Sequence, residues 1–387
     1  MRLLKVAALF LKLGTISFGG PAAHVALMEQ EVVNKRGWLS REHFLDLLAA
    51  TNLVPGPNAT EMAIHIGFLR AGWPGLFAGG LAFIVPAFLI SLALSMLYVR
   101  LGALPKGEAL FYGINPAVMA IILTATYRLG RTAIKDKMTV AVSVACLAAA
   151  LLGVNQVVLL LAAGVAGILI YARPRWSWLA VLTPSLGSPG LVALPGAAFA
   201  LAPYLDDRLV RLTLFFLKVG ALIFGSGMVL FAFIQRDVVN GYGWLTEQQL
   251  LDAIAVGQMT PGPVLSSATF IGYLVARVPG AAVSTIAVFL PSFVIVALID
   301  PWIPRVRQSP VAQAFLRGVN AAVVALILAV SLTLFRSAVV DVWTAIIVAA
   351  GLVALQRFQV NSLWLVVGGA AIGLAHAAAL GAPLPGI

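Results

Sequence analysis

The chain has 387 residues, of which 61% are hydrophobic and only 10% charged, and its mean hydropathy is +1.02. A soluble globular chain carries about 25% charged residues, so this composition excludes a soluble fold and points to an all-α polytopic membrane protein, with room for about 10 to 13 spans of about 20 residues each. The net charge of +11 lies mostly in short loops between apolar runs, where it orients a chain in the bilayer; membrane lipid is an expected partner and nucleic acid is not.

In chain order, Met1 to Lys5 and the apolar run after them resemble a signal peptide, but they lead straight into a repeat that begins near Phe10, so the segment is read as uncleaved. An apolar helix over about 6–28 carries an internal glycine break. A polar amphipathic stretch with Trp38 follows (29–46), then two short helices (43–54 and 58–70) around Pro55-Gly56-Pro57, then apolar runs over about 75–98, 109–127, 138–153 and 156–172. Residues 173–207, rich in Pro, Gly and Trp, read as a linker. The second half repeats the layout: 212–235, 236–252, 247–260 with 264–276 around Pro261-Gly262-Pro263, then 280–300, 311–335, 338–356 and 361–380. The units are 1–172, an N-terminal repeat, and 208–387, a C-terminal one.

The copies agree in detail. Phe10-Leu11-Lys12-x-Gly14 matches Phe216-Leu217-Lys218-x-Gly220, Phe18-Gly19 matches Phe224-Gly225, and Gly37-Trp38-Leu39 matches Gly243-Trp244-Leu245. After a one-residue slip, Pro74-Gly75 matches Pro279-Gly280, Pro86 matches Pro291, and Gly113-x-Asn115 matches Gly318-x-Asn320. A membrane chain of two such halves is usually a transporter whose site lies where the halves meet.

A 12-residue arm beside Pro-Gly-Pro reaches only about 18 Å, little more than half of a ~30 Å hydrocarbon core. Each segment is therefore one broken span or a re-entrant hairpin. Hairpins leave five full spans per half, an odd number, which inverts the second half. They also place most basic residues on one side, Lys35, Arg36, Arg128, Arg131, Lys135 and Lys137 among them, and the positive-inside rule favours that model. The expected fold is two inverted-topology repeats, each of about five spans plus a Pro-Gly-Pro helical hairpin.

Prolines 55 and 57 prevent continuous helix, so the helix restarting near Asn58 presents unpaired N–H groups and a positive dipole end, with Asn58 and Thr60 as added hydrogen-bonding side chains. The second copy restarts at Val264 with Ser266 and Ser267 nearby. Two such ends make a seat for an oxyanion. The expected binding set is Pro55, Gly56, Pro57, Asn58, Thr60, Pro261, Gly262, Pro263, Ser266 and Ser267. Gly19, Gly20, Gly225 and Ser226 join it from the breaks of the first helices, where close helix packing is the competing role. Lys12 and Lys218 join it as intramembrane cations, with snorkelling to the interface as their alternative. Glu61 and His65, one turn apart in the first half only, are candidates for proton coupling. Asn115 and Asn320 read as residues that hydrogen-bond between helices, with the substrate as the alternative partner, Trp38 and Trp244 as interfacial anchors, and Asp46 and Asp252 as groups that cap or orient the first hairpin arm.

A single cysteine, Cys146, and four histidines without ligand spacing leave no metal site, and no P-loop, nucleophile–base pair or cofactor motif is present. A transporter without cofactor, not an enzyme, is expected.

Phe18-Gly19-Gly20-Pro21, Gly37-Trp38-Leu39, Pro55-Gly56-Pro57-Asn58-Ala59-Thr60 and their second copies resemble the chromate ion transporter family in its long, two-domain form, over nearly the whole chain. The resemblance implies a bacterial inner-membrane protein that exports chromate, confers resistance and handles sulfate-like dianions. It also implies kinship with single-half proteins that work as oppositely oriented pairs. A carrier of another inorganic anion such as sulfate, and a non-transporting membrane partner subunit, are the alternatives; a homodimer is one assembly open to it. Half two departs from half one at Gly20, Pro21, Asn58, Thr60 and Glu61, so the two hairpins need not contribute equally.

Overall fold

The computed structural model describes residues 1–18, 20–52, 54–101, 105–172, 207–224, 227–299 and 309–379. All regular structure among them is helical. The first half holds α1 (Arg2–Ile16), α2 (Pro21–Glu29), α3 (Arg41–Thr51), α4 (Asn58–Leu101), α5 (Pro105–Ala133), α6 (Lys137–Leu151) and α7 (Gln156–Tyr171). The second holds α8 (Asp207–Leu222), α9 (Val229–Phe233), α10 (Glu247–Met259), α11 (Ser267–Ile299), α12 (Pro310–Ala338), α13 (Val342–Arg357) and α14 (Ser362–Ala379). The linker read over 173–207 lies, but for Asp207, outside the described residues.

The glycine break falls after Ile16 and after Leu222, as the sequence implies. The apolar pattern gives no sign of the π-helical segment that continues each short helix, Gln30–Lys35 in one half and Ile234–Gly241 in the other. The extra residue in each wide turn re-aims the side chains of Glu31 and Asp237. Local caps also repeat. Asp136 and Thr139 close a capping box at the start of α6, and Asp341 and Thr344 close the same box at α13.

The segments expected over 58–70 and 75–98 are two limbs of α4 that reverse at Ala71–Gly72 and pack on each other. A Cβ on Gly67 would fall 2.2 Å from the carbonyl oxygen of Gly75, and one on Gly79 would fall 2.5 Å from that of Ala63. The second half reverses at Ala276–Arg277, where Arg277 takes a positive φ of 53° that Gly72 takes without a side chain.

Among the described residues, five helical stretches are long and apolar enough to cross a membrane: Asn58–Arg100, Ala109–Ala133, Val264–Leu298, Pro310–Ala338 and Ser362–Ala379. The apolar helices α6, α7 and α13 have 15, 16 and 16 residues, about 24 Å at most against a ~30 Å core. The five runs per half are thus not all full-length helices.

Packing follows the repeat, but the halves exchange elements. Within each half the first helix lies on the long reversing helix, α1 on α4 and α8 on α11. Missing side chains at Gly14 and Gly220 permit this, since a Cβ would come 2.6 Å from the Phe83 carbonyl oxygen and 2.3 Å from that of Val288. The closing helices pack on the other half: α6 and α7 on α12, α13 and α14 on α5. A Cβ on Gly113 of α5 would stand 1.9 Å from the Gly369 carbonyl oxygen, and one on Gly318 of α12 would stand 1.8 Å from that of Ala163. Along the seam α4 meets α11, where Phe77 stacks on Phe293, and α5 meets α12.

Buried apolar side chains form two clusters. Leu9, Phe10, Leu13, Met28, Phe44, Met62 and Phe83 make a compact one within α1–α4, and a larger one runs through the rest of the molecule. The two meet along α4, which gives Met62, Ala63 and Phe83 to the compact cluster and Ile64, Leu76 and Ile84 to the larger one.

Candidate functional site

Each Pro-Gly-Pro turn is tied to the broken first helix of the opposite half. Proline on both sides leaves the glycine amide as the free donor of the turn. The Gly56 amide donates to the carbonyl oxygen of Ile223 at 2.7 Å, and the Gly262 amide donates to that of Ser17 at 2.9 Å. Ser17 and Ile223 are equivalent positions, each just past the last turn of its helix, where carbonyls lack intrahelical partners. The Ser17 oxygen also meets the His24 ring at 3.1 Å. Both turns are tightly walled. A Cβ on Gly56 would lie 3.0 Å from Ser292 Oγ, and one on Gly262 would lie 3.1 Å from the Ala87 Cβ, the matching position of the other half.

Around this seam lie buried polar atoms without hydrogen-bond partners: Ser17 Oγ, Thr60 Oγ1, both carboxylate oxygens of Glu61, Ser266 Oγ and Ser292 Oγ. Buried polar groups are ordinarily paired, and six such atoms on the segments that meet here are what a polar guest or water would satisfy. Glu61 is fully buried and reaches back over the first turn, its Oε1 2.0 Å from where a Gly56 Cβ would be. His65 is buried one turn further on.

From the expected binding set, Gly56, Pro57 and Thr60 are buried at the first turn, beside the proton-coupling candidate Glu61, and Gly262 and Ser266 are buried at the second. Pro55 and Asn58 are half-buried at the edge of the first turn, where Asn58 Nδ2 donates to Oδ1 of the exposed Asn52. Pro261, Pro263 and Ser267 are buried, and Ser267 Oγ donates to the Val264 carbonyl at 3.0 Å across the 3₁₀ turn Val264–Ser266 that opens the second copy's helix. Gly20 takes a positive φ of 82° at the start of α2. Gly19, Gly225 and Ser226 lie outside the described residues.

Lys12 and Lys218 are placed differently. Each is about half exposed and pairs with an acid of its own half's π-helical segment: Lys12 with Glu31 at 2.8 Å, Lys218 with Asp237. Lys12, helped by Lys35, holds the Glu31 carboxyl down to about 2.

Ser17, Ser292 and the carbonyl of Ile223 were not foreseen. Ser292 follows Pro291 in an apolar run, and that hydroxyl was the signal available. Asn115, read as an interhelical residue, lies with Tyr98 and Asp252 around a cavity of about 340 Å³.

Comparison with known proteins fits this arrangement. The family model described as chromate transporter matches residues 4–168 and again 210–374. The chain is 35% identical to the chromate transport protein of Cupriavidus metallidurans over 94% of this chain and 90% of that one. It is 36% identical to the probable chromate transport protein of Synechococcus elongatus, covering 89% and 87% of the two chains, and 34% identical to the chromate transport protein of Pseudomonas aeruginosa, covering 84% and 80%. No solved structure matches the chain. Two copies of one family segment, joined through reciprocal contacts in a multi-pass helical membrane protein, place this chain in the chromate transporter family, a family of transporters and not of enzymes, in its long two-domain form.

Proposed function

We propose that the chain is a secondary transporter that exports chromate across the bacterial inner membrane, with its two halves inverted and the dianion seated between the two Pro-Gly-Pro turns. The reciprocal tie of Gly56 to Ile223 and Gly262 to Ser17, ringed by unpartnered buried hydroxyls, carries the reading. A tetrahedral dianion needs several donors on opposite sides, and Thr60, Ser266, Ser292, Ser17 and the amides that open α4 supply them. The names of the relatives support chromate as cargo. Sulfate, of the same charge and shape, is the second reading.

Glu61 and His65 are the proposed proton-coupling pair, and Asn58 stands at the more open edge of the seat. Lys12 and Lys218 join by exchange, an arriving dianion competing with Glu31 and Asp237 for the ammonium groups. Inversion is supported by the one-sided basic loops, and re-entrant Pro-Gly-Pro hairpins by arms too short to span.

Chromate flux in liposomes tests the function. The wild-type chain is expected to carry chromate, with sulfate as a competitor. Thr60→Val and Ser266→Ala should each lower flux about tenfold, the effect of one hydrogen bond to a charged group, while the protein still inserts. Unchanged flux in both variants removes the seat; sulfate flux without chromate flux changes the substrate. In a Cys146→Ser background, single cysteines at the exposed Gly37 and Gly243 should react from opposite faces; labelling from one face removes the inversion.

A further inference from the structure

A second polar place lies away from the seat. A cavity of about 340 Å³ opens between α10 and the start of α13, with the exposed Gln248 and Val340 at its rim and Asp252 and Asn115 in its floor. Asp252 is 2% exposed and Asn115 3%. Tyr98 donates its hydroxyl to Asp252 Oδ2 at 2.7 Å, while Asp252 Oδ1 and Asn115 Oδ1 have no partner. Asn115 approaches the carboxylate without a well-formed hydrogen bond. A carboxylate this deep is costly without a counter-charge, and among the described residues it makes no ion pair.

The other titratable groups of the neighbourhood are engaged or uncharged. Tyr98 of α4 and Tyr112 of α5 line the cavity. Glu247, on the same helix as Asp252, accepts from Ser337 Oγ at 2.7 Å and from Gln235 at 3.2 Å. Asp341 takes the Tyr112 hydroxyl, and His376 of α14 stacks on the Tyr112 ring. From α12 the cavity receives Ser337 and no charged side chain. Thr344 Oγ1 is committed to the α13 capping box. Two unengaged oxygens remain, Asp252 Oδ1 and Asn115 Oδ1. Hard metal ions of the Mg²⁺ and Ca²⁺ kind take six or more oxygen ligands, so this site suits a proton.

A polar face of α4 runs from the cavity toward Ser266. Along one face of α4, Ser91 Oγ donates to the Ser266 carbonyl at 3.0 Å, Ser95 Oγ donates to the Ser91 carbonyl at 2.6 Å, and Tyr98 reaches Asp252. Both serines are fully buried. This stripe belongs to one half only: the position matching Ser91 is Val296, and Asp46, which matches Asp252, is half-buried.

We infer that Asp252 is a proton-loading site, separate from Glu61 and His65, which takes a proton from cavity water and links it through the Tyr98–Ser95–Ser91 face to the Ser266 side of the seat. Hydronium gives its proton to Asp252 Oδ1, an O–H bond forms there, and water leaves through the mouth. The link to anion movement rests on the proposed transport function; the loading itself does not.

Infrared difference spectra of the purified full chain between acid and alkaline pH test the loading directly. A carboxylic-acid band that titrates in the wild type should be missing in Asp252→Asn and move its midpoint in Tyr98→Phe. A band that persists unchanged in Asp252→Asn overturns the inference, as does one abolished by sodium ions at constant pH, which would make the site a sodium site. In liposomes, Asp252→Asn should lose uptake driven by a pH gradient while keeping chromate exchange at equal pH within about twofold, which also reports that the variant is folded. Gradient-driven uptake equal to the wild type overturns the link to the seat. Absence of all chromate flux in the wild type defeats the transport reading instead and leaves the spectroscopic result standing.

Discussion

Gly56 donates its amide to the carbonyl of Ile223 in the opposite half, and one copy later Gly262 donates to Ser17. A single such bond could be incidental. The pair ties both turns to both broken helices, so neither half completes its own Pro-Gly-Pro environment. Displacing either first helix would strain the opposite turn, and the proposed alternating exposure of the seat rests on this joint.

The two glycines are expected to fail differently. Gly262 has a φ of +88°, and its Cβ would stand 3.1 Å from Ala87 and 3.3 Å from the Gly14 carbonyl oxygen, so Gly262→Ala should lower unfolding stability by about 1–2 kcal/mol, the cost of an L side chain in the left-handed region. Gly56 has a φ of +152° and its Cβ would fall 2.0 Å from Oε1 of the fully buried Glu61, so Gly56→Ala should lower stability at least as much and, by displacing Glu61, depress flux as well. Gly368→Ala, with open space around its Cβ, is the control expected to change neither. Denaturation midpoints in detergent and flux in liposomes separate the three; equal behaviour of Gly262→Ala and Gly368→Ala removes the argument.

The exchange of closing helices predicts how a divided chain behaves. Residues 1–172 alone leave α5 without α13 and α14 and leave α6 and α7 without α12. Chains 1–172 and 207–387 should co-purify as a one-to-one complex when expressed together, and each should be degraded or aggregate when expressed alone. Gly113→Val, pressed against Gly369, should break the complex. A half that purifies alone as a stable monodisperse species contradicts the exchange.

Much of this arrangement was legible in the chain, for identifiable reasons. The breaks at Ser17 and Ile223 were visible because glycine interrupts an apolar helix in both copies, with Pro21 added in the first. The turns at Gly56 and Gly262 were visible because proline flanks each glycine on both sides. Exchange of α6–α7 and α13–α14 was not, because Gly113 and Gly318 report close packing without naming the partner helix. Lys12 and Lys218 read as lone intramembrane charges because their acids, Glu31 and Asp237, stand 19 residues away, and only a π-helical segment aims them correctly. Ser292 and Ser91 were hidden in apolar runs where a serine commonly bonds its own helix backbone. Asp252 was visible as a repeated residue, but its burial against Tyr98 depends on the packing of α4 on α10.

Acid should weaken the loop ends before the interior. Asp341, through the Thr344 amide and then the Tyr112 hydroxyl, and Asp136, through the Tyr171 hydroxyl and then the Thr139 amide, are held below the usual aspartate range. A lowered carboxyl contributes stability that is full above its unfolded value of about 3.9 and is lost as pH falls through the folded value. Thermal stability should therefore be insensitive to these groups at neutral pH and decline below about pH 4. Asp136→Asn with Asp341→Asn should flatten part of that acid limb, leaving the part due to Glu31. Both aspartates are well exposed, so the effect should be small and shrink with salt. An acid limb identical in the double variant contradicts the assignment.

Charge reversal separates two roles for Lys12. Its ion pair with Glu31 is half exposed on the lysine side, so removing it should cost no more than about 1 kcal/mol of stability. Lys12→Glu alone places like charges together and should destabilise the junction between α1 and the π-helical segment; adding Glu31→Lys restores an opposite pair but sets the new lysine beside Lys35 and Arg36, which also pair with Glu31, so the unfolding midpoint should return in part. If the ammonium must also reach the dianion, the reversed pair no longer offers it from α1 and chromate flux stays several-fold low despite the recovered stability. Flux that recovers together with stability assigns Lys12 to its ion pair alone, and the same reversal of Lys218 and Asp237 tests the second copy.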